Sequence, residues 1–337
     1  MKNNQLFLTL FFIMTALTWS CKKTETGFSD NKRNLDLDFE ITQANPSSEE
    51  IAAHVTYNYL GYGYDVTRRF EHPSAIRNAV IDVDALGASE AIDISQISAN
   101  IFFPILGENA ESFSGRLSNW FSATYSLHQF KGAITDIFNQ ENALTDRYIY
   151  GHFTHAITTE EIKFKFPNMD MGDHLYSDFE LDLDRLSVEE LIEKYGTHIM
   201  MGVALGGKFT VDLQAEYNGE NRDNAIGNTL ALATEGLFEE FSGVLIPYDK
   251  SNLQGVSNAK VVYEIRGGDV SRVNVKSDTE IQLSEWFDSI NTSNSDFISV
   301  ANSSKIIPLY DVINDPAKKE AIQNYILSYL KENEVSL

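Results

Sequence analysis

The chain has 337 residues, with 49 Asp and Glu against 26 Lys and Arg, and a single Cys. That acidic excess disfavours nucleic acid and anionic membrane surfaces as electrostatic partners, and one Cys allows no disulfide within the chain. The length suits one large domain or two small ones.

The first stretch, MKNNQLFLTLFFIMTALTWSC, sets one Lys ahead of an apolar run from Leu6 to Leu17. A bilayer span needs roughly 20 apolar residues, so this run reads as a secretory signal. Cys21 closes it in the manner of a bacterial lipidation site, with Thr18 where such sites usually carry Leu. A lipid anchor is predicted at Cys21, and the chain is expected to be secreted and held at the bacterial outer membrane or cell surface. Residues 22–50 are polar, with Lys22, Lys23, Asp30, Asn31, Ser47 and Ser48, and are predicted to form a flexible tether. Residues 51–337 then make the folded domain. The acidic repeats LDLDFE (35–40) and ELDLDR (180–185) lack the Gly and the spacing of a calcium loop and read as solvated faces. GYGY at 61–64 is no nucleotide fingerprint.

Period-two alternation marks four strands. In ESFSGRLSNWFSATYSL, residues 111–127, one face carries Phe113, Leu117, Phe121, Ala123, Tyr125 and Leu127, and the other is serine-rich, interrupted by Trp120. RYIYGHFTHAIT (147–158) sets Ile149, Phe153 and Ile157 on one side. KFTVDLQAEY (208–217) alternates Phe209, Val211, Leu213, Ala215 and Tyr217 against polar residues. NAKVVYEIRGGD (258–269) does the same with Ala259, Val261, Tyr263 and Ile265. The first two strands are joined by a segment of about 20 residues, the last two by residues 218–256, and neither reads as a simple turn. The second insert holds Leu230, Ala233, Leu237 and Phe241 at helical spacing, with Glu235, Glu239 and Glu240 turned away. Two further helices are well punctuated. Ser187 and Glu190 form a capping box, Leu186 and Leu191 a hydrophobic staple, and Gly196 a C-terminal cap. Asp315 and Pro316 start the last helix, with Ile322, Tyr325, Ile326, Tyr329 and Leu330 as its apolar stripe.

The stretch YGTHIMMGVALGG, Tyr195 to Gly207, resembles the signature of the membrane attack complex/perforin (MACPF) superfamily: an aromatic residue, Gly-Thr-His, a spacer, then Gly-Gly. LGYGYDV (60–66) and the runs IRGGDVSRV, EWFDSI, SKIIPLYDVI and KKEAIQNYI, with Trp286 and Pro308, resemble bacterial members in the same order. The resemblance implies an α+β fold: a bent, twisted four-stranded antiparallel sheet flanked by two helical clusters. In pore-forming members each cluster unfurls into a membrane-crossing hairpin, and a ring of subunits closes a barrel. It implies that Gly206 and Gly207 lie at the bend of the sheet as a hinge, since glycine permits close approach. Tyr195, Gly196, Thr197 and His198 are then structural, with Thr197 and His198 hydrogen-bonded near the bend. No separate targeting domain is expected after the last helix.

No catalytic residue is expected. His198 has no Ser, Cys or acid at a spacing that suggests a triad. His152 and His155 stand three apart on a strand and face opposite sides, so no metal site and no cofactor are predicted. A barrel strand needs about 9–11 residues. Leu230, Leu232 and Phe238 would face lipid on the outgoing arm of the second insert, with Ala231, Ala233, Glu235 and Glu239 facing a lumen. Val244 and Ile246 fit the return arm, and Pro247 interrupts it. The first insert, taken as 127–147, is barely long enough for two strands and carries Asp136 and Glu141 near its middle. The function expected is a pore-forming, toxin-like attack on a target membrane, a bacterial one included, by a ring or arc of copies of this chain. Targeting would use a receptor or a partner chain if the core does not supply it. The alternative is a non-lytic surface lipoprotein that uses the domain for binding or adhesion.

Overall fold

Strict alternation along KFTVDLQAEY splits a strand into an apolar face and a polar one, and that split organises the main sheet. The computed structural model describes residues 37–335 apart from 45–50, 87–90, 122–129, 139–142, 166–170, 239–248, 278–279 and 302–305. The described strands are β1 (Phe39–Gln43), β2 (Tyr62–Tyr64), β3 (Ile76–Ala79), β4 (Ile92–Gly107), β5 (Tyr148–Phe164), β6 (His198–Met200), β7 (Gly202–Tyr217), β8 (Val256–Arg266), β9 (Asn274–Ser277), β10 (Glu280–Gln282), β11 (Asp296–Val300) and β12 (Ile306–Pro308). The helices are α1 (Ala110–Phe121), α2 (Gly132–Thr135), α3 (Ser177–Arg185), α4 (Val188–Tyr195), α5 (Arg222–Leu237), α6 (Ser284–Phe287) and α7 (Pro316–Glu332).

The main sheet runs β1-β8-β7-β5-β4, with β11 added to one end of β7. Its four long strands, β4, β5, β7 and β8, are antiparallel. A smaller sheet runs β12-β6-β2-β3, and β9 and β10 pair as a hairpin. The fold is α+β, as the resemblance implied. On one face of the main sheet, Ile149, Phe153, Phe209, Val211, Leu213 and Val261 pack against Ile226, Leu230 and Leu237 of α5 and against Trp286. On the other, Tyr148 and Tyr150 meet Phe113 and Leu117 of α1 and Ile134 of α2. The segments joining β4 to β5 and β7 to β8 leave from the same end of the sheet and cover opposite faces.

Three readings change. Residues 111–121 are not a strand of the sheet but lie in α1, and 122–127 fall outside the described residues. Phe113 and Leu117, both buried, are four apart, a spacing that satisfies a helix face and a strand face equally. The fourth long strand is β4, IDISQISANIFFPILG, which lies at the sheet's edge. Its residues alternate between half-buried and exposed, with Phe102 52% exposed, so no strongly apolar face announced it. The first insert therefore spans residues 108–147, nearly equal in length to the second at 218–255. It is not short of residues for two membrane strands. The tether also ends early. Phe39–Gln43 pairs parallel with β8 from Ala259 to Tyr263. Leu37, Phe39 and Ile41 pack on the α5 core while Asp38 and Glu40 face out, so LDLDFE begins a strand.

The punctuated helices form where their caps put them. Ser187 Oγ accepts from Glu190 N and a Glu190 carboxylate oxygen accepts from Ser187 N at 2.9 Å. Asp315 accepts from Ala317 N and Lys318 N, both at 2.9 Å, and Pro316 occupies the first helical position. Ile322 and Ile326 are buried, with Tyr325, Tyr329 and Leu330 packed beside them. The second acidic repeat lies on α3, where Asp182 accepts from Lys194 Nζ at 2.6 Å and from Tyr195 Oη at 2.7 Å.

Candidate functional site

The bend of the sheet has a visible cause. Register shifts fall in line across three strands: at Gln96/Ala99 on β4, and at Thr158/Glu160 on β5 opposite Gly206 and Leu205 on β7. Thr159 is the extra residue, a β-bulge that bends a strand locally, and its hydroxyl meets Ser295 Oγ at 2.6 Å. Here β7 also changes partner, leaving β8 at Lys208 and taking up β11 at Gly206. A Cβ on Gly206 would lie 1.9 Å from the Ile157 carbonyl oxygen, and one on Gly207 would lie 2.3 Å from Ile290 Cδ1. The Gly-Gly pair sits within β7 rather than before it, where a side chain at either position has no room.

Tyr-Gly-Thr-His does different work from that expected. It starts the smaller sheet, not the bend. Gly196 takes φ 77° as the cap of α4. Thr197 N donates to the Tyr64 carbonyl at 3.1 Å, Thr197 Oγ1 accepts from Val66 N at 3.2 Å, and Leu309 N donates to the Thr197 carbonyl at 2.9 Å. His198 pairs with Tyr64 of β2 and Pro308 of β12, and its Nδ1 lies 2.9 Å from Thr197 Oγ1. Burial pushes the His198 ring down to about 3, so it is neutral. The signature thus ties α4, β2 and β12 together.

Sequence reasoning missed the most charged interior of the molecule. Residues 65–72, DVTRRFEH, cross the face of the sheet that lies under the first insert. Arg69 reaches Asp212 at 3.2 Å and Glu264 at 2.8 Å. Lys208 meets Glu71 at 3.2 Å, and Arg266 Nε meets Glu264 at 3.2 Å. His152 Nδ1 lies 2.6 Å from Asp212, and its Nε2 2.6 Å from Thr154 Oγ1. Burial pushes the Glu264 carboxyl up, but His72, Arg69 and Arg266 outweigh it and hold it at about 2. Burial likewise raises Asp212, and His152 and Arg69 outweigh that to leave it below the usual carboxylate range. His72 is pushed down by burial; its Nδ1 accepts from Ser74 N, so Nε2 carries the proton toward Glu264. The alternating polar faces of β7 and β8 were the available signal. They carry both charge signs, and the Arg-Arg pair supplies the partner. The same segment grips the first insert: Asp136 accepts from Arg69 N at 3.1 Å and pairs with Arg68 Nε at 3.1 Å.

The second insert is held by apolar contact. Leu230, Ala231, Ala233 and Phe238 are buried and Leu232 is half-buried. Phe238 packs edge-on against Phe209 and Tyr263, with centroids 4.5 and 5.4 Å away. Val244, Ile246, Glu239 and Cys21 lie outside the described residues. His152 and His155 face opposite sides: His155 meets Asn100 at 2.7 Å and Phe287 at 4.2 Å. Among the described residues no three metal-binding side chains gather.

The family described as MAC/Perforin domain (MACPF) matches residues 110–336. The chain belongs to this family. Two solved structures share its fold. One is a Bacteroides thetaiotaomicron protein described as a cell invasion protein with a MAC/Perforin domain, at 15% identity and TM-score 0.65. The alignment covers 85% of this chain and 63% of that one. The other is GNIP1Aa from Chromobacterium piscinae, at 16% identity and TM-score 0.58, covering 82% of this chain and 56% of that one. The MACPF chain described here thus spans less than two thirds of either protein. No curated protein sequence matches it.

Proposed function

We propose that this MACPF chain is a secreted, lipid-anchored pore former that assembles on a target membrane and inserts hairpins from residues 108–147 and 218–255. One observation carries the reading. From Phe113 to Leu127 the chain alternates apolar or small residues with polar ones, broken only at Asn119 and Trp120, yet residues 110–121 fold as a helix. A helix has no use for period two over that length. A membrane strand requires it, with Phe113, Leu117, Phe121, Ala123, Tyr125 and Leu127 toward lipid and the serine-rich face toward a lumen. The segment encodes a second structure besides the one it adopts in α1. The position of both inserts at one end of an antiparallel sheet supports the same reading, because unfurling would extend β4, β5, β7 and β8 without breaking their pairing.

The anchor at Cys21 and the site at the outer membrane or cell surface belong to this proposal. So does the absence of enzymatic activity, which a buried neutral His198 bonded to Thr197 supports. Liposome leakage by the mature protein, beside electron microscopy for rings or arcs, tests it. Leakage with rings is expected. Folded protein that neither leaks nor assembles on any membrane tried would reject it and favour the non-lytic binding lipoprotein, a reading that Pro247 in the return arm of the second insert already suits.

A further inference from the structure

The first residue of α5 does something its own helix does not ask for. A cation in the first turn of a helix opposes the helix dipole, yet Arg222 stands there. Its guanidinium turns back to the roots of both inserts. Nε donates to the Glu108 carbonyl at 2.5 Å, and Nη2 donates to the Asp146 and Tyr148 carbonyls, each at 2.7 Å. Nη1 donates to the Tyr217 carbonyl at 3.4 Å, and the guanidinium lies over the Tyr217 ring, 5.9 Å from its centroid. Glu108 opens the first insert, Asp146 and Tyr148 straddle the point where it returns to the sheet, and Tyr217 is the last residue before the second. The fork of donors suits Arg alone; a Lys ammonium cannot span carbonyls so placed.

We propose that Arg222 is an interlock that couples release of the two inserts. They cover opposite faces of the sheet, and Arg222 ties the start of one to both ends of the other. Unwinding α5 from its N-terminus withdraws the guanidinium and frees the Glu108, Asp146 and Tyr148 carbonyls. Lifting the first insert conversely removes the acceptors that hold a cation against the dipole of α5. The inference rests on the reading of the inserts as the moving parts, and its test needs no membrane.

Amide hydrogen exchange is measured on the mature protein in solution for wild type, Arg222→Gln, Arg222→Lys and Asn221→Ala. Asn221 caps the same helix by accepting from Asn224 N and touches none of the four carbonyls. Arg222→Gln should speed exchange at least about tenfold in 108–113 and 146–150 as well as in 222–230. Asn221→Ala should speed it in 222–230 alone. If Arg222→Gln does not fold, Arg222→Lys should show a smaller rise in the same three segments. A rise confined to 222–230 in the Arg222 variants would overturn the interlock. Wild-type protein that never permeabilises a liposome would reject the pore reading and leave coupled exchange standing.

Discussion

The two inserts are alike in length and position and unlike in how they are written and held. The first carries a nearly unbroken strand alternation on its outgoing arm and folds as a helix over its start. It is pinned through Asp136, to the Arg68 guanidinium by charge and to the Arg69 backbone N by a hydrogen bond, and by the chain's end, where Lys131 N donates to the Asn333 carbonyl at 2.8 Å. The second opens with one long helix, α5, which sets Asn228 and Thr234 on the face that would meet lipid and is held by buried aliphatic and aromatic surface. Ionic attachments weaken with salt; apolar ones do not. The same fold therefore holds its two inserts with different grips, and under the proposed function the first is the better candidate to leave on a local electrostatic cue.

A large loss of stability is expected where the buried charge cluster beneath the first insert is broken. Arg69→Ala leaves Asp212 and Glu264 short of a buried cation, and removing one partner of such a group costs about 3–5 kcal/mol. Urea unfolding should show that loss. Comparable cost in an Asp212→Asn, Glu264→Gln double variant that keeps Arg69 would mean the cation, not the acids, is the member left unpaired. Leu230→Ala cuts the apolar grip of the second insert and should cost about 2–5 kcal/mol, with no change in salt dependence. Equal salt dependence of the two variants would erase the contrast.

The bend offers a sharper contrast within one pair of residues. Gly206→Val drives Cβ into backbone at Ile157 and should abolish soluble folded protein, whereas Gly207→Val meets only the Ile290 side chain and should be rescued by Ile290→Ala. Rescue of both, or of neither, contradicts the geometry.

Acid should loosen the whole. Burial lowers His155 to about 4 and His198 to about 3, and lowers His72 as well. A folded pKa below the ordinary 6.5 means stability present above pH 6.5 and lost as pH falls toward those values. Glu264, held at about 2 against an ordinary 4.5, adds a further loss between those limits. His198→Asn should flatten the slope of stability between pH 6.5 and 3; an unchanged slope would assign the loss elsewhere. The smallest effect is expected at Ser187→Ala, about 0.5–2 kcal/mol for a lost N-cap, confined to α4 and without influence on either insert.

Much of this was legible in the sequence. β5, β7 and β8 announce themselves because each buries its apolar face, and α4 and α7 because their caps are local chemistry. β4 stayed hidden because an edge strand needs no strongly apolar face. β1 stayed hidden because Leu37 and Phe39 alternate with aspartates. The burial of residues 65–72 left only an indirect trace in the mixed charges of the polar faces of β7 and β8: nothing local says that Arg69 will be buried between them. The alternation at 111–127 suggested a strand of the sheet, but residues 110–121 form α1, and a strand there belongs only to the proposed membrane state.

The most direct measurement follows that segment through the change. Single Cys residues are placed at each position from 121 to 127 on a Cys21→Ser background, labelled with a polarity-sensitive dye, and read before and after liposomes are added. On membranes the account expects apolar surroundings at 121, 123, 125 and 127 and aqueous ones at 122, 124 and 126. Signals that do not change on liposomes, or that keep a period of about 3.6 residues, would contradict it.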